Sequence, residues 1–395
     1  MCARLADGTD GSHPWNKPSA STLSFRSRWL STPEELEQIR PAWTKLVHSA
    51  VRGNPFFDPG FLIPAFKYLN DQNARVFIVE CLASERGEPV ICALLPLVQT
   101  RIYGLPFSCL EIWKHDQCFD CTPLIREDCA QDTIEFLFES LAKDHHVSLL
   151  SAKIVDGNGP IAQLFQNTAH QNSLSMFIRQ EFSRESFVGD QTRQDYVDKN
   201  VSAKTQRKMR TAKRKLAKLG DLTIQESDLA EASESWIQEF LDLESSGWKG
   251  KEGTALGSQS PTRSFFKEMA QNMLSSGELG MLKIELDGKP IAMLCNLHHS
   301  DYSSAFKTTY DETLKRFSPG LLAEFENLNR LHRLGVESMD SCSNKPHTML
   351  SRLWNGRLSF NNFVVALKPG IVSHAVSAMP LIRWAANRSI FQQKT

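Results

Sequence analysis

Apolar residues recur three and four positions apart through Leu36, Ile39, Trp43 and Leu46, which predicts an amphipathic helix. Thr32 as N-cap, Pro33 at the first helical position and the acids Glu34 and Glu35 mark its start. A second helix is predicted through Phe61, Leu62, Ala65, Phe66 and Leu69. The pattern then changes to two strand-like apolar runs, 74–83 and 89–98. The polar stretch Ser84-Glu85-Arg86-Gly87-Glu88 between them predicts a hairpin. Strand or loop follows at 101–105 and 108–113, then a helix at 131–144, a buried strand at 147–154, a helix at 160–171 and a strand at 176–187.

The second half repeats this order. A helix over about 198–220 carries an apolar stripe of Met209, Ala212, Leu216 and Leu219, with Gly220 as its stop. A strand is predicted at 222–226 and helices at 230–247 and 261–275. Two strands, 279–286 and 290–298, flank Asp287-Gly288, the strongest short hairpin signal in the chain. A strand at 301–310, a helix at 318–334 and a short strand at 338–342 complete the half. Two copies of one α/β unit are therefore expected, each a mixed, mostly antiparallel sheet flanked by helices. The expected boundaries are a disordered 1–22, a first unit over 23–187, a second over 188–370, and a C-terminal helix and tail over 371–395, the helix spanning 372–390.

Composition narrows the function classes. Of 395 residues 41% are hydrophobic and 23% charged, and Lys+Arg equals Asp+Glu at 45 each. A polyanionic partner has no support from global charge, so any basic surface is local. Nine irregularly spaced cysteines are not a disulfide framework and fit a reducing, cytoplasmic setting. No window offers the roughly 18–20 apolar residues that span a bilayer. His115, Cys118, Cys121 and Cys129 have a metal-like look, but no second Cys-x-x-Cys pair follows at ribbon spacing, and no metal is expected.

Candidate chemistry clusters in the second half. Ser318-Pro319-Gly320-Leu321-Leu322 reads as a helix start, with Ser318 as N-cap, Pro319 at the first position and Gly320 allowing close approach. Free N–H groups and the positive dipole end make such a start a phosphate site. The helix over 198–220 carries Lys204, Arg207, Lys208, Arg210, Lys213, Arg214, Lys215 and Lys218. No aromatic residues interleave to stack bases, so nucleic acid is not expected; an anionic acceptor such as a glycan phosphate or a lipid head group is a second reading, and a solvated face the simplest. Glu244, Trp248 and Lys249 end a helix and open a loop punctuated by Gly247, Gly250 and Gly253.

A basic helix, the run Glu244 to Leu256, then Tyr310-Asp311-Glu312 and Phe317 to Leu322, in that order, resembles the CelD-like branch of the GNAT acyltransferases. The resemblance covers about residues 23–367 and extends to the related Fem aminoacyltransferases. It implies two tandem GNAT-like domains, the second binding acetyl-CoA or another acyl-CoA and transferring the acyl group to an amine or hydroxyl. A link to cellulose, exopolysaccharide or other cell-envelope synthesis is implied too. In such enzymes the coenzyme's pyrophosphate lies on a helix start, here Arg316, Ser318, Gly320, Leu321 and Leu322. The family's run differs by one residue in its Arg-to-Gly spacing and ends in a Gly or Ala that is missing here. Glu244, Asp311 and Asp340 are candidate bases, and Trp248, Lys249 and Tyr310 candidate acceptor-binding residues. Two other readings stand beside it: aminoacyl transfer from a charged tRNA, and a binding module that has lost its cofactor.

Overall fold

The computed structural model describes residues 24–82, 89–102, 105–143, 146–189, 192–227, 233–299, 302–343 and 349–381. The expected disordered segment, the hairpin turn at 84–88 and the last part of the C-terminal helix lie outside these residues.

The first half runs β1 (Ser24–Leu30), α1 (Pro33–Gln38), α2 (Arg40–Ser49), α3 (Pro59–Leu69), β2 (Arg75–Leu82), β3 (Val90–Arg101), β4 (Ser108–Ile112), β5 (Leu124–Ile125), α4 (Ala130–Ala142), β6 (Leu149–Asp156), α5 (Pro160–Gln171) and β7 (Met176–Val188). The second runs α6 (Arg193–Asn200), α7 (Ala203–Leu216), β8 (Leu222–Glu226), α8 (Ser233–Ser246), α9 (Trp248–Lys251), α10 (Ser260–Ser275), β9 (Leu279–Leu286), β10 (Lys289–His299), β11 (Tyr302–Tyr310), α11 (Pro319–Arg333), β12 (Ser338–Asp340), β13 (Gly356–Ala366) and α12 (Ile371–Ser377).

Local signals explain many of these boundaries. Thr32 and Glu35 cap α1 reciprocally, a capping box. Asp287 and Gly288 both take positive φ, 52° and 72°, as the tight turn between β9 and β10 requires. The single basic helix expected over 198–220 is two helices. Val201 is extended and buried, and Ser202 restarts the chain by accepting the Thr205 N–H at 3.2 Å. Met209, Ala212 and Leu216 are buried as the stripe requires, but α7 ends at Leu216 and Leu219 is exposed. Gly220 is not the stop; it lies against the Asp287 carboxylate, which also accepts the Asp221 N–H at 2.8 Å.

The strands among the described residues join one mixed sheet in the order β1-β2-β3-β4-β6-β13-β7-β12-β11-β10-β9-β8, with β5 on β3. From either edge the sequence of pairings is the same. Four antiparallel strands come first, then one parallel step (β4 with β6, β11 with β12), then an antiparallel strand from the other half. β7 leaves the first half to pair with β12, and β13 returns from the second half to pair with β6. The two exchanged strands pair with each other from Gly356–Ser186 to Val365–Met176 and close the middle of the sheet. The mixed, mostly antiparallel sheet is as the pattern predicts; its continuity through two exchanged strands is not visible in that pattern.

The halves also share a core. Phe61 packs edge-on with Phe265 and Phe306, and Phe56 packs tilted against Phe306. Lys67 and Tyr68 of α3 both reach Glu268 of α10 at 2.8 Å. No helix among the described residues is long and apolar enough to cross a membrane.

Candidate active site

The parallel pairing of β11 with β12 covers only Tyr302–Ser304 against Ser338–Asp340. Beyond Ser304 the strands part, and Ala305–Tyr310 has no strand on that side. Such an edge offers unpaired backbone groups to an extended ligand. α11 starts directly above it.

The start of α11 differs from a simple cap. Ser318 is left-handed (φ 54°, ψ 53°) and its hydroxyl makes no capping bond, contrary to the N-cap expectation. Its carbonyl instead accepts the Leu322 N–H at 3.0 Å. Leu322 is thereby spent, so Gly320 and Leu321 supply the first-turn N–H groups of α11. A non-glycine residue held at positive φ is a strained conformation of the kind that clusters at ligand sites. A side chain on Gly320 would meet the Tyr310 ring at 3.0 Å, so glycine lets the first turn close onto β11. Tyr310 therefore lies in this packing, and Asp311 caps the next turn by accepting the Thr313 N–H at 2.9 Å. Arg316 is exposed, its guanidinium 4.7 Å from the Phe317 ring centroid.

On the other side of the sheet a cavity of about 580 Å³ opens between the halves. Tyr68, Lys114, His115 and Gln117 line it from the first half, and Leu256 and Lys307 from the second. Burial holds His115 neutral, its pKa lowered to about 3. Gln117 presents a buried Oε1 with no hydrogen-bond partner.

Lys307 is the residue that sequence reasoning missed. It lies opposite Cys295 of β10, in the region where an extra residue bulges β11 between Ser304 and Lys307. With the bulge, consecutive Phe306 and Lys307 come together, Phe306 in the core shared by the halves and Lys307 in the cavity lining. Its ammonium sits 5.3 Å and 5.5 Å from the Phe306 and Phe119 ring centroids. Burial, then the nearby Lys249 charge, brings its pKa down to about 8. The available signal was one charge in the otherwise uncharged strand Tyr302–Tyr310.

The expected bases are placed differently. Glu244 is buried, with one oxygen accepting from Lys249 Nζ and the other from the Leu256 N–H, each at 2.8 Å. It fixes the loop beside the cavity and is not part of the cavity lining. Lys249 reaches on to the Thr308 carbonyl at 3.4 Å, tying that loop to β11. Trp248 is half-exposed, outside the cavity lining, and its N–H donates to Glu312 at 2.9 Å. Asp340 is buried at the foot of the parting strands, paired with Arg184 at 2.6 Å. Burial still pushes its carboxyl up to about 6, against the pull of Arg184. On the α11 face, Glu324 accepts from the Thr308 hydroxyl at 2.9 Å, and burial raises it to about 7.

Among the described residues no group of three or more His, Cys, Asp or Glu side chains is placed to hold a metal ion. Cys118 and Cys121 are buried with their sulfurs 3.7 Å apart.

A sheet in which β11 and β12 part, with a helix start above and a cavity below, defines a mixed α/β protein with a cleft at that point. Residues 203–345 match the family model described as the acetyltransferase (GNAT) domain. Three solved structures share the fold. One is FemX (TM-score 0.54, 10% identity, 82% of this chain and 95% of that one). Another is the C-terminal domain of a putative lysylphosphatidylglycerol synthetase from Agrobacterium fabrum (0.51, 13%, 87% and 95%). The third is a conserved protein of unknown function from Bacteroides thetaiotaomicron (0.51, 13%, 84% and 97%). At these identities the likeness is one of fold. No curated protein sequence matches the chain.

Proposed function

We propose that the chain is an acyl-CoA-dependent N- or O-acyltransferase whose catalytic unit spans residues 188–370. The observation that carries this reading is Lys307, a half-buried lysine with a pKa near 8, on the strand edge where the parting strands meet the inter-half cavity. The residues fit the coenzyme. The amides of Gly320 and Leu321 suit the pyrophosphate, Arg316 adds positive charge, and the free edge of β11 suits an extended arm. When bound, the thioester supplies an activated acyl group that an acceptor attacks directly.

The acceptor occupies the cavity, and neutral Lys307 takes its proton as it attacks; the acyl–sulfur bond breaks, the thiolate leaves and takes up a proton from solvent, and the lysine returns its own to solvent. Gln117 Oε1 offers a hydrogen-bond acceptor for an incoming N–H or O–H, and the cavity volume suits an amine or a sugar-sized molecule. Acetyl is the acyl group proposed, and an amino sugar or an envelope polysaccharide the acceptor class that follows from the family resemblance. Glu244 and Lys249 act by holding the loop, Asp311 as a cap, and Asp340 as an ion-pair partner.

Mixing the protein with acetyl-CoA and a panel of polyamines and amino sugars should release free thiol well above thioester hydrolysis for at least one acceptor class. Background release with every acceptor would count against transfer.

A further inference from the structure

A second cavity, of about 300 Å³, lies between α7 and the turn Glu312–Phe317. Lys204, Arg207, Lys208 and Lys215 line it from one face of α7, opposite the face that buries Met209 and Leu216. Arg316 and Phe317 line it from the turn. Five cations thus surround a space with no carboxylate in its lining. Among the described residues none of the five forms an ion pair, whereas Lys213 on the same helix pairs with Glu326 at 2.9 Å. Like charges gathered without counter-charge repel one another, and an anion removes that cost. The cavity is too small for a nucleic-acid chain and has one aromatic ring, already covered by Arg316.

Position selects the anion. Arg316 lies two residues before the left-handed Ser318 and four before Gly320, so the cavity adjoins the proposed pyrophosphate site. We propose that this cavity is a phosphomonoester site that seats the nucleoside 3′-phosphate of coenzyme A, separately from the pyrophosphate. This rests on the acyl-CoA reading above. α7 stands before the first strand of its half, β8, and so adds an anion subsite from outside the sheet-and-helix unit that forms the cleft.

The test compares coenzyme A with 3′-dephospho-coenzyme A by calorimetry, on the full chain and on an Arg207→Gln/Lys208→Gln variant. Both substitutions lie on an exposed helix face and should leave the melting temperature unchanged. Charge-assisted hydrogen bonds predict that the wild type prefers coenzyme A by about 10–100-fold. The double variant should lose that preference while keeping its affinity for the dephospho form. Equal wild-type affinity for the two forms would overturn the subsite and leave the acyl-CoA reading standing. Binding of neither form would remove that reading and the subsite with it. Binding of a tRNA that the double variant loses, with no competition from coenzyme A, would assign the cations to nucleic acid and overturn the proposal.

Discussion

Lys307→Met is expected to lower turnover by about 10²–10⁴-fold, the usual contribution of a positioned general base. Acyl-CoA affinity should change little, because the substituted side chain faces the acceptor cavity and not the start of α11. The pH profile separates this role from packing. A lysine with a pKa near 8 is protonated below that value and cannot take a proton there. The wild-type kcat/KM should therefore rise with pH and level off above about 8. Methionine keeps much of the apolar stem and removes the titrating group, so the variant's residual rate should lack that limb. An acceptor hydroxyl, or an amine whose own pKa lies well below 7, keeps the acceptor's titration out of the profile. A full limb in Lys307→Met would assign the proton transfer to another group.

The largest expected effect on stability lies at the seam between the halves. Arg184 on β7 and Asp340 on β12 are 1% and 0% exposed, and the guanidinium also donates to the Phe119 carbonyl at 2.7 Å. Its partner strand and Phe119 belong to different halves of the chain. Arg184→Met leaves a buried carboxylate without a counter-charge, which typically costs about 3–5 kcal/mol. Urea denaturation should show the loss as a lower midpoint. An Arg184→Met/Asp340→Leu double variant should recover much of it, because the stranded charge is gone. A single variant as stable as wild type would show that the pair does not hold the exchanged strand in place.

Much of this fold is written locally. Thr32-Pro33-Glu34-Glu35 and Asp287-Gly288 carry their own geometry, and the helical and strand periodicities mark most elements between them. The strand exchange is not local. The apolar residues Phe360, Phe363 and Val364 fit any sheet interior, and only the pairing of β13 with β6 and β7 decides which half they complete. The break at Val201–Ser202 has no local mark, because Ser202 reads equally well inside a polar helix.

The site was legible in part. Pro319-Gly320 marked a helix start, but the left-handed Ser318 reverses the capping role that its residue type suggests. Glu244 had the composition of a base, yet its two hydrogen bonds depend on where Leu256 and Lys249 fold back. Lys307 owes its lowered pKa to burial and to the Lys249 charge, on a strand whose bulge periodicity does not show. Arg184 sits in a strand with several other charges, so nothing marked it as the one that is buried.

Acyl-CoA binding at the start of α11 is tested most directly by calorimetric titration of acetyl-CoA into the wild type and into Gly320→Val. The wild type should bind saturably with one site per chain. The valine must push against Tyr310 and crowd the phosphates, so its affinity should fall at least about tenfold with the fold retained, the loss of roughly one charge-assisted hydrogen bond. No heat of binding in the wild type, or equal affinity in the two proteins, would contradict a donor site there.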